Sequence, residues 1–531
     1  MKKVFLGLCL ILPLGVFSQS KSTNYADLLA KIKEVKSHQF NSVGAIGHSY
    51  SGESIPVIKL QSNNNPKPTL LLVAGIDGKH PAGVVNSLEV VNQILALESD
   101  SLNKLLQDKS IWVIPMVNPD AFKRNGQLNV WNSGNSRVID NDRDGRVNED
   151  PSKDLNGDGI ISQMRIESIG GTHQVHPMFS NVLVEADGSK GERGKYLLFP
   201  ESIDNDFDGK YGEDGEGGVN IDRNFTFDYP AFYPESGAYA ASEPETKALM
   251  DFIFANPQIS TILHFGLMNN LSDPEKYNSS KANTRVIESW SMNDANVSKY
   301  VSSIYKDVTK YLGEASKQEY KPGNFTNTGY YHLGKFSFAT PTWWPALADS
   351  VKGIKPEDVF YKWAITNNVE GAILPWSKID HPNFPNSEVE VGGIVDIYRN
   401  NPPVSYLKES SIAHTLFVTR LLASLPKLEF QKPVVTALGG DVFRVELAVT
   451  NVGLMPTYPE IADRIKYASK FKTVCNLQGN QEFLNGKRLQ LYPSLGAGKS
   501  QTFSWLIKGK GMVNIVAGCP TSGEINLEVK L

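Results

Sequence analysis

The chain has 531 residues, 40% of them hydrophobic, with 53 Lys and Arg against 57 Asp and Glu and a formal net charge of −4. That length exceeds one compact domain and points to two or three. The near-balanced charge, with no basic stripe, argues against a nucleic-acid partner and gives no electrostatic attraction to a membrane surface.

Met1-Lys2-Lys3 precedes an apolar run from Val4 to Phe17, followed by Ser18-Gln19. A basic start, a short apolar run and a small residue at the cut make residues 1–18 a signal peptide, and the mature protein secreted or periplasmic. The run falls short of the ~20 apolar residues that span a bilayer, and no later segment reaches them, so no transmembrane anchor is expected. Beyond the leader the cysteines are Cys475 and Cys519. An exported pair can form a disulfide or remain two buried thiols, and spacing alone does not decide between these.

Leu28, Leu29, Ile32 and Val35 recur at helical spacing over residues 25–37. Strands follow at Ile55 to Leu60 and Thr69 to Ala74, a helix at Ser87 to Leu97, and a strand at Ile111 to Val117 closed by Asn118-Pro119-Asp120. Residues 131–217 break this rhythm, being rich in Asp, Asn and Gly. A helix over Glu243 to Asn256, with Ser242 as its cap, and a strand over Ile259 to His264 restore it. Alternating strands and helices predict an α/β sheet. After Leu425-Pro426 the pattern changes to short alternating stretches at 443–449, 501–507, 513–517 and 525–529, which predict a β-sandwich. The expected organisation is therefore a domain over 19–425, an insert at 131–217 and a sandwich over 426–531.

Asp77 and His80 follow a strand and open a helix, three residues apart, so both side chains fall on one face of one turn. With His264, at the end of another strand, they make two imidazoles and a carboxylate. Such a set holds zinc with an open position for an acidified water, and also suits non-haem iron. For the pair alone, a capping Asp and a packing His is the plainer reading.

Seven motifs in order make the chain similar to the carboxypeptidase A-like zinc metallopeptidases over about residues 25 to 425. They are Ser49-Tyr50-Ser51-Gly52, Asp77-Gly78-Lys79-His80, Asn118-Pro119-Asp120, Val219-Asn220-Ile221-Asp222-Arg223-Asn224-Phe225, Ser242-Glu243-Pro244-Glu245-Thr246, Leu263-His264-Phe265-Gly266, and Tyr330-Tyr331-His332-Leu333-Gly334 leading into Phe338-Ala339-Thr340-Pro341. The resemblance implies a carboxypeptidase-like mixed sheet flanked by helices. It also implies zinc on Asp77, His80 and His264, a substrate-orienting Arg223, and Tyr330 or Tyr331 closing over a peptide or cell-wall fragment. Asp222 and Arg137 would also meet the substrate.

Three departures qualify the chemistry. The family's His-x-x-Glu reads Asp-x-x-His. Pro341 stands where the family has its catalytic glutamate, which removes a general base worth roughly a hundred- to ten-thousand-fold. Asp222 replaces an asparagine that grips the substrate carboxylate. The reading is a secreted metallohydrolase of peptide or amide bonds with an atypical site; the alternative is a non-catalytic protein that binds a peptide or glycan on the same fold. In the segment 380–393, His381, Glu388 and Glu390 are either substitute bases or members of a salt-bridged loop, the latter being the plainer reading.

The insert carries a separate signal. Asp140, Asp142 and Asp144 precede Gly145; Asp154, Asn156 and Asp158 precede Gly159; Asp204, Asp206 and Asp208 precede Gly209. Alternating carboxylates before a Gly wrap oxygens round a hard cation, so calcium with a structural role is expected at all three. Position twelve of an EF-hand would be Pro151, Arg165 and Gly215, so these are not EF-hands. The closing carboxylates Glu149, Asp150, Glu213 and Asp214 come early, as in thrombospondin-type repeats.

Overall fold

A computed structural model describes residues 25–35, 39–128, 131–141, 143–313, 315, 320–346, 355–466 and 469–531. The expected leader at 1–18 and the expected ligand Asp142 lie outside the described residues. Up to residue 425 the strands run β1 (Asn41–His48), β2 (Ser54–Leu60), β3 (Thr69–Ala74), β4 (Ser110–Ile114), β5 (Gln163–Glu167), β6 (His173–Val175), β7 (Leu183–Glu185), β8 (Tyr196–Pro200), β9 (Ile259–Phe265), β10 (Phe336–Thr340), β11 (Ile373–Ile379) and β12 (Val389–Ile394).

Six of these form a mixed sheet in the order β1-β2-β4-β3-β9-β10. Strands β4, β3, β9 and β10 are parallel neighbours, and β1 and β2 join antiparallel at one edge. Every residue of β3, β9 and β10 is buried, as parallel strands covered on both faces require. Leu70 and Leu72 of β3 pack with helices Pro81–Leu95 and Leu407–Ser424 through Leu88, Val91, Phe417 and Leu421. Leu71 and Val73 face the other way, toward Leu249 and Ile253 of helix Pro244–Ala255. Emptying one such position, as in Leu88→Ala, costs about 2–5 kcal/mol.

Two helix starts differ from the sequence reading. The second helix begins at Pro81, not Ser87, because proline at the first turn needs no N–H partner and the helix buries nearly its whole surface, which blurs the apolar period. The helix expected from Glu243 runs Pro244–Ala255 with Glu243, not Ser242, at its cap. The Ser242 hydroxyl is turned to Glu243 and receives Asn224 instead.

The insert supplies β5 to β8, which pair with β11 and β12 in a second sheet of order β11-β12-β5-β8-β6-β7. Arg165 on β5 bonds Glu390 on β12 at 2.7 Å, Lys378 bonds Glu388 at 2.7 Å, and buried His381 meets the Ser202 carbonyl at 2.9 Å. These three side chains are thus structural and none is left to act as a base.

The remaining strands are β13 (Leu428–Phe430), β14 (Val434–Gly439), β15 (Val442–Asn451), β16 (Phe471–Asn476), β17 (Glu482–Asn485), β18 (Leu489–Tyr492), β19 (Ser500–Lys508), β20 (Met512–Cys519) and β21 (Gly523–Lys530). They form two antiparallel sheets that share one apolar core of Val445, Leu447, Phe471, Phe503, Trp505 and Ile515. Cys475 and Cys519 are both buried free thiols. One buried carboxylate that ties this region to the first is Asp294, which accepts the Tyr330 hydroxyl at 2.7 Å and the N–H groups of Glu460 at 3.0 Å and Ile461 at 3.3 Å. No described helix is long and apolar enough to cross a membrane.

Candidate active site

The carboxyl ends of β3, β9 and β10 lie side by side, and open α/β sheets present ligand sites at such ends. After Ala74 the chain turns through Gly75 at φ 64°, where a side chain would strike Met116 and Val84. Asp77 follows, with one carboxylate oxygen on the Lys79 N–H at 2.8 Å. His80 then starts helix Pro81–Leu95.

His80 is buried, and its Nε2 meets the Pro341 carbonyl at 2.9 Å. Its Nδ1 is buried with no hydrogen-bond partner. Gly83 lies so close that an added Cβ would stand 2.8 Å from this nitrogen. Burial lowers the imidazole's proton affinity, and nearby Asp77 partly offsets this.

His264 sits in register between Val73 and Ala339, and its Nδ1 meets the Thr326 hydroxyl at 3.1 Å. The ring lies over Gly266, where a Cβ would come within 2.2 Å of it, and edge-on to Phe325. Burial, with a lesser contribution from His80, lowers its pKa to about 3. The imidazole is therefore neutral at physiological pH.

At the end of β10 no titratable side chain points toward these rings. Thr340 bonds Tyr305 at 2.7 Å, the Pro341 carbonyl is taken by His80, and Thr342 receives Asn86 at 2.9 Å. Ser410 also donates to the Thr342 carbonyl. Thr342 has φ 64°, uncommon for a β-branched residue and a source of strain held by these partners. Thr340 to Thr342 thus form a pinned, buried turn.

Asp77, His80 and His264 share this region, yet their donor atoms are not all gathered within 4.8 Å; among the described residues the groups that are so gathered are carboxylates of the insert. Imidazole at position 80 reaches past the turn to Pro341, while the shorter carboxylate at 77 folds back onto its own backbone.

Four further expected roles are corrected by the geometry. Asp222 does not face a substrate: its carboxylate accepts the Phe325 N–H at 2.9 Å, capping the start of helix Phe325–Tyr331. Burial first, with Asp77 adding, raises it to about 7 against the pull of that N–H. Arg137 is held by buried Glu243 at 2.8 Å and lies over the Tyr50 ring, so it is a structural cation. Tyr330 is fully buried, bonded to Asp294 and stacked 4.0 Å from Trp290. Tyr331 stacks 4.1 Å from Phe227. Adjacent aromatics at the end of a helix packed on the sheet became core, so neither closes over a substrate. Arg223 lies 4.3 Å over the Tyr233 ring and its buried Nε has no partner, which leaves it able to meet an anion.

Thr326 and the Pro341 carbonyl were missed by sequence reasoning. Asn324-Phe325-Thr326 carries a helix-start signal, with Asn324 accepting the Asn327 N–H at 2.8 Å, but nothing in it points to an imidazole. Beside the site a cleft of about 990 Å³ opens between the Lys79 turn and the insert, lined by Trp131, Lys153, Glu216, Leu267 and Arg399 among others.

Residues 27–368 match the family model described as zinc carboxypeptidase. Residues 427–530 match one described as a domain of unknown function. No curated protein matches the chain. Among solved structures, thrombin-activatable fibrinolysis inhibitor is similar at 13% identity over 76% of each chain, with a TM-score of 0.42. The bovine protein, in complex with tick carboxypeptidase inhibitor, is similar at 13% identity over 76% of this chain and 97% of that one, TM-score 0.39. Carboxypeptidase A from Helicoverpa armigera is similar at 15% identity over 64% and 69%, TM-score 0.38.

Proposed function

The chain belongs to the zinc carboxypeptidase family, and from that premise we propose that it is a peptide-binding member whose cleft has lost the family's zinc-dependent turnover. One observation carries the reading: the 2.9 Å contact between His80 Nε2 and the Pro341 carbonyl. It joins the two altered positions to each other. The residue that replaces a metal-binding carboxylate is bonded to the residue that replaces the catalytic one.

Zinc is implied by the family, but the residues present do not fit it. A zinc ion takes nitrogen and oxygen donors at about 2.0–2.2 Å. Here the donor atoms of the three side chains are not all gathered within 4.8 Å of one another. No step is therefore routed through the metal. What remains is a cleft whose walls carry Lys79, Lys153 and Arg399 interspersed with Asp154, Glu213, Glu216, Glu235 and Asp396, a mixed-charge lining that suits a peptide with polar side chains of both signs. Export through the leader at 1–18 belongs to the same reading.

The metallohydrolase reading is favoured by a different atom, the buried, partnerless Nδ1 of His80. With Nε2 donating to Pro341, Nδ1 is left as a lone-pair nitrogen of the kind a metal takes, and the reading requires only that the donor atoms of Asp77, His80 and His264 come together. The two readings separate in one experiment on purified protein. Zinc content is measured, and peptides with free or amidated C-termini are tested for binding by calorimetry and for hydrolysis by chromatography, with wild type and His264→Ala. The expected result is saturable binding, no released residue and little zinc. Stoichiometric zinc with hydrolysis that His264→Ala abolishes would overturn the proposal.

A further inference from the structure

Two loops of the insert carry the same pattern at the same spacing, Asp140 to Asp150 and Asp204 to Asp214, each reading Asp-Asn-Asp-x-Asp-Gly and closing on Glu-Asp. Their backbones match as well. Arg143 and Phe207 both have φ 68°, Gly145 and Gly209 have 96° and 88°, and Asn148 and Gly212 have 60° and 69°.

The loops also bind each other reciprocally. An isolated β-bridge joins Asp150 to Asp214. The Asn205 N–H donates to Asp150 at 2.8 Å and the Asn148 N–H to Asp214 at 3.0 Å. Asn141 and Asn205 donate their side-chain amides to the carbonyls of Glu213 and Glu149. The pair is one built unit with an approximate twofold relation.

This unit gathers carboxylates, four of whose oxygens are buried without a partner. Donor atoms of Asp150, Asp206 and Glu213 lie within 4.8 Å of one another, as do those of Asp144, Glu149 and Asp206. Asp150 is fully buried, and its Oδ2 has no hydrogen-bond partner. Both carboxylate oxygens of Glu149 and Oε2 of Glu213 are also buried without partners. A buried carboxylate without a partner is costly, and several side by side repel, so such a cluster calls for a cation. All the donors are oxygens. Ligands 2.3–2.6 Å from one calcium ion lie at most about 5 Å apart, which is the spacing found here.

We propose that the two loops hold calcium between them, with Asp150, Asp206 and Glu213 as one ligand set and Asp144 and Glu149 joining Asp206 in a second. These sets draw on the first and last of the three expected loops and leave out the one from Asp154. In the loop from Asp154, both oxygens of Asp154 accept N–H groups of Gly157 and Gly159, and Asn156 and Asp158 each accept a backbone N–H. Among the described residues no gathered group of three includes Asp154. Asp140 and Asp204 likewise accept the N–H groups of Arg143, Gly145, Phe207 and Gly209. Asp204 is nevertheless gathered with Asp206 and Asp208 within 4.8 Å, so it adjoins the ligands round Asp206. Pro151, Gly212, Glu213 and Glu216 flank the unit and line the cleft, so calcium fixes one of its walls. The site stands whether or not the cleft binds peptide.

The test strips the full-length protein with EGTA and titrates it with calcium chloride by calorimetry, with native mass spectrometry to count bound ions. Wild type is expected to take up calcium with a Kd below about 1 mM, and Asp206→Asn with Glu213→Gln to lose about 100-fold or more in affinity. The stripped double variant is expected to melt no lower than stripped wild type, since it removes repelling charges; this separates a lost ligand from a lost fold. Asp154→Asn is expected to bind like wild type. No calcium uptake at 10 mM would overturn the proposal. So would loss of binding in Asp154→Asn with retention in the double variant, or equal displacement by equimolar magnesium.

Discussion

The end of the central sheet and the paired loops of the insert both bring ionisable side chains together under cover, and they treat them oppositely. At the sheet edge two buried imidazole nitrogens are met by protein oxygens, Pro341 for His80 and Thr326 for His264. In the loops, carboxylate oxygens of Glu149, Asp150 and Glu213 are buried and met by none. Polar groups closed by the protein need no ligand; polar groups left open are costly until one arrives. One nitrogen, His80 Nδ1, stays buried and unmet at the sheet edge against four carboxylate oxygens in the loops, so the loops are the place that calls more strongly for an ion.

The largest expected effect is on the open region. Chelation with EGTA should speed limited proteolysis within residues 131–217 by tenfold or more while the rest of the chain keeps its rate, because like charges then push the two loops apart. Fragment masses locate the cut. Equal acceleration throughout the chain would break the comparison.

At the closed region the effect should be on stability and independent of metal. His80→Ala removes a buried ring and its hydrogen bond and should cost about 2–4 kcal/mol in chemical unfolding, equally with zinc or with chelator present. A cost that appears only with zinc would mean that the imidazole is a ligand.

Asp294 offers an intermediate case, a buried carboxylate closed by three protein donors. Burial still raises it to about 6. Its folded value thus lies above its unfolded one near 4, so its contribution to stability is present below about pH 4 and is lost as pH rises through about 6. In Asp294→Asn the melting temperature should lose that downward drift between pH 4 and 6, with an overall cost of about 1–3 kcal/mol for the misplaced amide. An identical drift in wild type and variant would assign it to other groups. The smallest effect is expected from Asp158→Asn in the exposed third loop, within about 0.5 kcal/mol by the same measurement.

Where the apolar period was strong, the sequence revealed the architecture. Fully buried β3 and β9 and the alternating β15 and β19 stand within a residue or two of their expected limits. Strands β5 to β8 were not legible, since they are three to five residues long and their sheet is completed through β5 by β12, more than two hundred residues away. At the site, the residue types of Asp77, His80 and His264 were readable but their directions were not. Whether an imidazole turns to an ion or to a carbonyl depends on Pro341 and Thr326, which reach it only through the fold. In the insert the repeat was plain, yet which carboxylates stay open depends on the reciprocal pairing of loops 54 residues or more apart, as between Asn205 and Asp150.

The bond between His80 and Pro341 also acts as a toll on anything that enters. An occupant needing Nε2 of that imidazole must first part it from the carbonyl, and a buried hydrogen bond left unmade costs about 1–3 kcal/mol. The receptive form is then a minority of roughly one molecule in five to one in a hundred, and measured affinity is weaker than intrinsic affinity by the same factor. An occupant that leaves the bond intact is exempt. The clasp therefore selects among ligands by what they disturb, before any contact they make is counted.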